Sequence, residues 1–252
     1  MRLVALLVLA AFTRLCQAQG ATACDDDIEM ALRTVGGRTA IPGDVTASDC
    51  RPWTAAPTRT TAAVMAFAKP GSDDGAWTVV VALVDTTRGQ VQSSHRTELE
   101  ADATTLIGPQ SLRLDLAPYQ LKPGVRALGL RFSSDRGNSM PNSRAGTPLR
   151  LYVAEGRRLR PVFCQAMGWQ DADQGVIGQD PWDEAATTLS ISPRQTHGWQ
   201  DLRLTDRLSR HTPDGKASKP VASQRVCRFD GDAYRCDPPP GQPGMGCDPA
   251  GL

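Results

Sequence analysis

Gly198-Trp199-Gln200-Asp201-Leu202-Arg203-Leu204 and, after a polar connection, Arg225-Val226-Cys227-Arg228-Phe229-Asp230-Gly231-Asp232-Ala233-Tyr234-Arg235-Cys236 decide the fold class. Apolar and polar residues alternate through both runs, which predicts strands with one buried face. Asp230-Gly231 between two such runs is the strongest short-range hairpin signal a sequence carries. Two cysteines flank that turn. If Asp230 to Ala233 form the loop, Phe229 faces Tyr234 and Cys227 faces Cys236. Opposed antiparallel residues sit roughly 4.5–5.5 Å apart at Cα, within disulfide reach. If Asp230-Gly231 alone form the loop, Cys227 faces Tyr234; Cys236 then staples the tail through Cys247, and Cys227 reaches Cys164. Both registers remain open at this level.

Working outward, the same grammar recurs. Trp77-Thr78-Val79-Val80-Val81-Ala82-Leu83-Val84-Asp85 is a continuous apolar run suited to a strand buried on both faces. Thr87-Arg88-Gly89 turns it into the polar run Gln90 to Leu99. Leu112, Leu114 and Leu116 alternate with polar neighbours, as do Leu128, Leu130 and Phe132, then Leu149, Leu151 and Val153. Glu155-Gly156 turns the last of these into Leu159 to Phe163. With Thr187 to Ser192 and Gln200 to Leu204, these runs predict about ten strands. The gaps lack 10–15-residue helical patterns, which excludes a parallel βαβ rhythm. The expected fold is mainly β: an antiparallel β-sandwich-like domain with a short N-terminal helix and disulfides.

Residues 1–18 have the form of a secretory signal peptide: Arg2, the apolar run Leu3 to Phe12, and Cys16-Gln17-Ala18 at the cleavage position. The apolar run is about half of the roughly 20 residues a spanning helix needs, so no integral membrane segment is expected after signal removal. Arg14 and Leu15 before Cys16 argue against lipid attachment there. Residues 19–60 read as an irregular segment with one short helix from Cys24 to Arg33. Acids fill its first turn, Arg33 its last, and Gly36-Gly37 stop it. The β domain is expected over 61–236 and a Pro/Gly-rich tail over 237–252.

Removal of the signal takes Arg2 and Arg14 and moves the formal net charge from +1 to −1. A near-neutral chain has no overall pull toward nucleic acid or a membrane surface. Loss of Cys16 leaves Cys24, Cys50, Cys164, Cys227, Cys236 and Cys247, which in an exported chain imply up to three disulfides. Cys24 with Cys50 is the simplest first pair, since both lie in the N-terminal segment. There is no Cys-x-x-Cys, so neither a zinc knuckle nor a redox pair is supported.

The histidines are His95, His197 and His211, and none shares a metal-ligand spacing with another. Each reads as a surface histidine on a strand. No Gly-x-Ser-x-Gly or phosphate-binding loop is present. Asp171-Ala172-Asp173-Gln174-Gly175 is only half of a calcium loop, so no metal and no cofactor are expected. Charge, however, is segregated. Residues 126–160 hold Arg126, Arg131, Arg136, Arg144, Arg150, Arg157, Arg158 and Arg160 against Asp135 and Glu155. Residues 161–193 hold Asp171, Asp173, Asp180, Asp183 and Glu184 with no Lys or Arg. One reading is a basic face for an anionic glycan or an acidic envelope protein, formed by Arg144, Arg150, Arg157, Arg158 and Arg160, with Trp169 and Trp182 as stacking or anchoring residues. The other is that these arginines point outward and pair with the acidic loop, while the tryptophans cap a small core.

Gly198-Trp199-Gln200-Asp201-Leu202 followed by Arg228-Phe229-Asp230-Gly231-Asp232-Ala233-Tyr234 resembles the tail of uncharacterised exported bacterial β-rich proteins that carry Gly-aromatic-x-Asp-Leu and then Arg-Phe-Asp-Gly-x-x-Tyr. The resemblance implies export and β structure and brings no active-site residues with it. The expectation is therefore a non-enzymatic secreted or periplasmic binding or interaction protein, such as an inhibitor or immunity protein acting on an envelope-targeting enzyme. An envelope hydrolase is the alternative, using carboxylates or a His-Asp pair drawn from His95, His197, Asp201, Asp180 and Asp183. A purely structural envelope protein is a third reading.

Overall fold

The structure, a computed structural model, describes residues 24–38, 41, 43–56, 59–71, 75–136, 141–172, 175–238 and 247. The expected signal peptide and nearly all of the Pro/Gly-rich tail lie outside the described residues. The chain runs α1 (Asp26–Gly36), β1 (Val45–Pro52), β2 (Thr60–Ala68), β3 (Ala76–Asp85), β4 (Gln90–Glu100), β5 (Leu112–Lys122), β6 (Val125–Phe132) and β7 (Ser143–Ala145). It continues β8 (Pro148–Glu155), β9 (Arg158–Ala166), β10 (Gly168–Asp171), β11 (Trp182–Thr196), β12 (Trp199–His211), β13 (Val221–Phe229) and β14 (Tyr234–Cys236). Among the described residues there are fourteen strands where about ten were expected. The added ones include β7, β10 and β14, of three, four and three residues, too short for alternation to show. The stretch 19–60 also contributes β1, whose polar Thr46, Ser48, Asp49 and Arg51 hid it.

Eight strands form one sheet in the order β1-β2-β3-β4-β9-β8-β6-β5, and six form a second in the order β14-β13-β12-β11-β10-β7. The first sheet curls until its end strands meet: the buried Asp49 carboxylate on β1 accepts the backbone N–H of Leu114 on β5 at 2.8 Å. Its concave face encloses a core that includes Val64, Val79, Val81, Leu112, Leu130 and Tyr152. The convex face is covered twice. On the β5-β6-β8-β9 side the second sheet packs Trp199, Leu202, Leu204 and Phe229 against Leu121, Leu149, Leu151 and Phe163. On the β1-β2-β3 side α1 packs Ile28 and Leu32 against Met65, Phe67, Val80 and Val84. This explains the apolar run at β3, which is buried along its whole length. Trp77, Val79, Val81 and Leu83 point inward while Val80, Ala82 and Val84 meet the helix.

Helix α1 forms as its sequence dictates. Asp26, Asp27 and Glu29 occupy the positive end, and Gly37 takes the left-handed conformation (φ 63°) that ends it. The buried Arg33 guanidinium pairs with Asp44 at 2.6 Å and Glu29 at 2.7 Å, and the Asp44 hydrogen bond raises its pKa further. Cys24–Cys50 pins the helix start to β1. The opening hairpin takes the four-residue loop: Phe229 pairs with Tyr234, Cys227 with Cys236, and these cysteines are bonded. Asp230 is the reason for that length. Its Oδ1 accepts the N–H groups of Asp232 and Ala233, both at 2.9 Å, closing a turn that a two-residue loop could not hold. Cys164 is left to pair with Cys247. Three disulfides are compatible with an extracellular or periplasmic protein. No helix among the described residues is long and apolar enough to cross a membrane.

Candidate functional site

The eight-stranded sheet has one weak joint. Its other neighbouring strands pair over at least four positions. β4 and β9, which run parallel, are bridged only where Ser94 faces Arg158. The Ser94 N–H donates to the Arg157 carbonyl at 3.1 Å beside it. On the concave face beside this joint the apolar lining gives way to polar side chains.

Strand parity places them. On β4, His95 pairs with Val81 and Ser93 with Leu83, both inward residues of β3, so His95 and Ser93 face inward too. On β8, Leu149, Leu151 and Val153 face the second sheet, so Arg150 and Tyr152 face the concave interior. Arg150 is 2 % exposed and Tyr152 1 %. The His95 and Tyr152 rings lie 5.3 Å apart at their centroids, tilted by 48°. Burial lowers the His95 pKa, and the positive charges of Arg150 and Arg158 lower it further, so the imidazole is neutral at pH 7. Burial pushes the Tyr152 phenol up to about 12. The Ser93 hydroxyl is buried with no hydrogen-bond partner among the described residues. His95 is thus an inward, half-buried residue rather than the surface histidine expected. The polar composition of Gln90 to Leu99 concealed which of its faces looks inside.

The arginines of the basic stretch separate into three groups. Arg126, Arg131 and Arg160 are engaged within the fold. Arg126 donates to the Leu116 carbonyl and lies 4.6 Å over the Trp53 ring, while Arg131 pairs with Asp115 at 2.9 Å. Arg160 pairs with Glu155 at 2.8 Å and reaches the Asp232 carbonyl, tying the β8–β9 hairpin to the β13–β14 hairpin. Arg150 is inside. Arg136, Arg144, Arg157 and Arg158 are exposed and make no ion pair among the described residues. Arg157 and Arg158 are consecutive at the tip of the β8–β9 hairpin, beside the single β4–β9 bridge. Arg144 is far along the chain order of the second sheet, opposite Gln170 on β10. The acidic loop makes its contacts within its own sheet instead: Asp183 pairs with Arg210 at 2.9 Å, and the Glu184 carboxylate lies 3.2 Å from His211 Nε2.

Trp169 and Trp182 do not share a surface. Trp169 pairs with Ala185, an odd position of β11, whereas Trp182 is an even one, so the two rings lie on opposite faces of the second sheet. Trp182 stacks on His211 at 5.0 Å. The groups considered for hydrolysis also go separate ways. His197 sits in a turn with Nδ1 2.8 Å from the Phe229 carbonyl. Asp180 accepts the Val176 N–H within its own loop. Asp201 is buried between the sheets beside Tyr234, whose pKa is raised by burial and then by the Asp201 charge. No contact joins any two of His95, His197, Asp180, Asp183 and Asp201 among the described residues, and no three His, Cys, Asp or Glu side chains there gather as a metal site would require. Comparison of the chain with protein-family models, curated proteins and solved structures finds no match.

Proposed function

We propose that the chain is a non-enzymatic, exported binding protein of the periplasm or extracellular space that engages an acidic envelope partner through the β8–β9 hairpin, as an inhibitor or immunity protein does. Residues 1–18 act as its signal peptide. One observation carries the reading. Within the basic stretch Arg126, Arg131 and Arg160 are engaged in the fold and Arg150 is buried, while the consecutive Arg157 and Arg158 lie exposed at the hairpin tip and make no ion pair among the described residues. Two adjacent guanidiniums on a rigid hairpin suit a carboxylate- or phosphate-bearing surface, because each can donate a bidentate pair of hydrogen bonds. The three disulfides and the exported-protein tail grammar agree with the compartment.

Affinity capture from envelope extract tests it. Wild-type protein retains a specific partner that elutes as salt rises. The Arg157→Glu, Arg158→Glu double variant, with an unchanged melting temperature, loses that partner. Equal capture by both proteins, or none by either, ends this reading.

A further inference from the structure

We propose that one end of the curled eight-stranded sheet is a single basic docking face, and that it receives the carboxylate-bearing face of an acidic protein. The inference rests on the hairpin reading above and extends it: Arg157 and Arg158 act together with Arg59, Arg88, Lys122 and Arg126, which three other turns bring to the same end.

Strand direction fixes the placement. β1 runs antiparallel to β2, β2 to β3, β3 to β4, β5 to β6, β6 to β8 and β8 to β9, while β4 and β9 are parallel. The connections at 53–59, 86–89, 123–124 and 156–157 therefore all lie at one end of the sheet. Hydrogen bonds tie them into one frame. The Arg59 carbonyl accepts both the N–H and the hydroxyl of Thr86 at 2.9 Å. The Ser94 N–H on β4 donates to the Arg157 carbonyl at 3.1 Å. The Arg126 guanidinium, at the start of β6, reaches the Thr54 hydroxyl at 3.4 Å.

Charge distinguishes this end. Arg59, Arg88, Arg157 and Arg158 are exposed and make no ion pair among the described residues. Lys122 and Arg126 are half-buried and held in place: Lys122 Nζ is 4.4 Å over the Trp199 ring, and the Arg126 guanidinium 4.6 Å over the Trp53 ring. Stacking fixes where each charge stands without neutralising it. Two carboxylates flank these turns, and both are engaged. Asp85 accepts the N–H and hydroxyl of Thr87 in its own turn, and Glu155 pairs with Arg160 at 2.8 Å. The end is thus basic although the whole chain is near neutral. Such a face steers and orients an acidic partner, and each exposed guanidinium can take a carboxylate bidentately.

The pattern favours a protein over a lipid surface. Among the described residues the exposed large apolar side chains are Met30, Ile41, Leu208 and Val221, and none belongs to these turns. The face therefore has no large apolar side chain to bury in a bilayer interface. Asp85 and Glu155 would also meet like charge across an anionic lipid plane, whereas a protein surface can match a mixed pattern.

Calorimetric titration of the full chain with poly-L-glutamate, repeated as sodium chloride rises, tests the face; phosphatidylglycerol vesicles are the competing surface. Poly-L-glutamate is expected to bind saturably and to weaken with salt. Arg59→Gln with Arg88→Gln weakens binding about threefold to tenfold at an unchanged melting temperature, although neither residue lies on the hairpin, and Arg157→Gln with Arg158→Gln does the same. Arg136→Gln with Arg144→Gln removes equal charge from the connection between β6 and β8, at the opposite end, and leaves binding unchanged. Equal weakening by that control overturns the proposal, because net charge alone then explains it. Vesicle binding as tight as that of poly-L-glutamate also overturns it. No saturable binding of poly-L-glutamate, with envelope capture retained, refutes this face and leaves the hairpin reading standing. Weakening by the Arg157 and Arg158 variant alone does the same; weakening by the Arg59 and Arg88 variant alone ends both readings.

Discussion

Asp49 on β1 and Leu114 on β5 are joined by a 2.8 Å bond from a backbone N–H to a carboxylate, although their strands stand at opposite ends of the hydrogen-bonded order. One buried side chain thus takes the place of a ladder in closing the curled sheet. Arg51 Nε, 3.1 Å from Asp49 Oδ2, balances the charge. Asp49→Ala leaves the buried Leu114 N–H without its acceptor and removes the carboxylate that pairs with Arg51. The expected loss is about 3 kcal/mol, read as a lower urea midpoint at unchanged slope.

Gly129 on β6 lies under an irregular part of β5. A Cβ there would sit 2.6 Å from the Asp115 carbonyl oxygen and 2.8 Å from the Asp115 Cβ. Neither atom can move without shifting β5, and Asp115 also holds Arg131 at 2.9 Å. Gly129→Ala should cost about 1–3 kcal/mol, with the Asp115–Arg131 pair weakened in the same step. Thermal unfolding of Gly129→Ala, alone and combined with Arg131→Ala, measures both effects.

The buried pair Asp206–Arg225, at 2.6 Å, predicts an acid response. Burial alone would push the Asp206 carboxyl up, but hydrogen bonds from Arg225 and Thr187 outweigh it and hold the pKa below the usual carboxylate range. The folded pKa therefore lies below the unfolded value of about 3.9, so the stabilisation is complete above that pH and disappears as pH falls through the folded value. Arg225→Met is expected to cost about 3–5 kcal/mol at neutral pH, since it strands a buried carboxylate. The gap from wild type should narrow as pH falls through the depressed folded pKa of Asp206, below which the carboxyl is protonated in both proteins. Denaturant midpoints across pH measure this.

His197 and Gly198 form the two-residue turn between β11 and β12, with φ of 52° and 76°. Positive φ at both positions is the turn geometry that suits the strand twist, and a β-branched residue tolerates it poorly. His197→Asn should remain within about 0.5 kcal/mol of wild type, and His197→Val should fall about 1–2 kcal/mol below it. Urea titration of the two variants separates turn geometry from the hydrogen bond to Phe229, which both remove.

What was legible in the chain was local. The Asp-Gly hairpin, the doubly buried run at Trp77 to Asp85 and the α1 stop at Gly36-Gly37 all depend on neighbours within a few residues, and the structure contains each of them. The Cys24–Cys50 pair was legible because no other cysteine lies near. Trp169 and Trp182 show where local reading ends. They sit close in the chain and share an acidic loop, yet the pairing register of β10 with β11 sends them to opposite faces. Register is a property of two strands and is not written in either.

The sequence by itself determined a disulfide-containing, mainly β chain with segregated charge, because alternation, turn residues and cysteine count act over short distances. Only the tertiary structure decided which arginines are available to a partner and that His95, Tyr152, Arg150 and Ser93 share an interior. His95 and Tyr152 lie far apart in the chain and meet only because β4 is followed in the sheet by β9 and β8 rather than by β5. That crossover is set by the closure of the whole sheet around its core, which no single strand encodes.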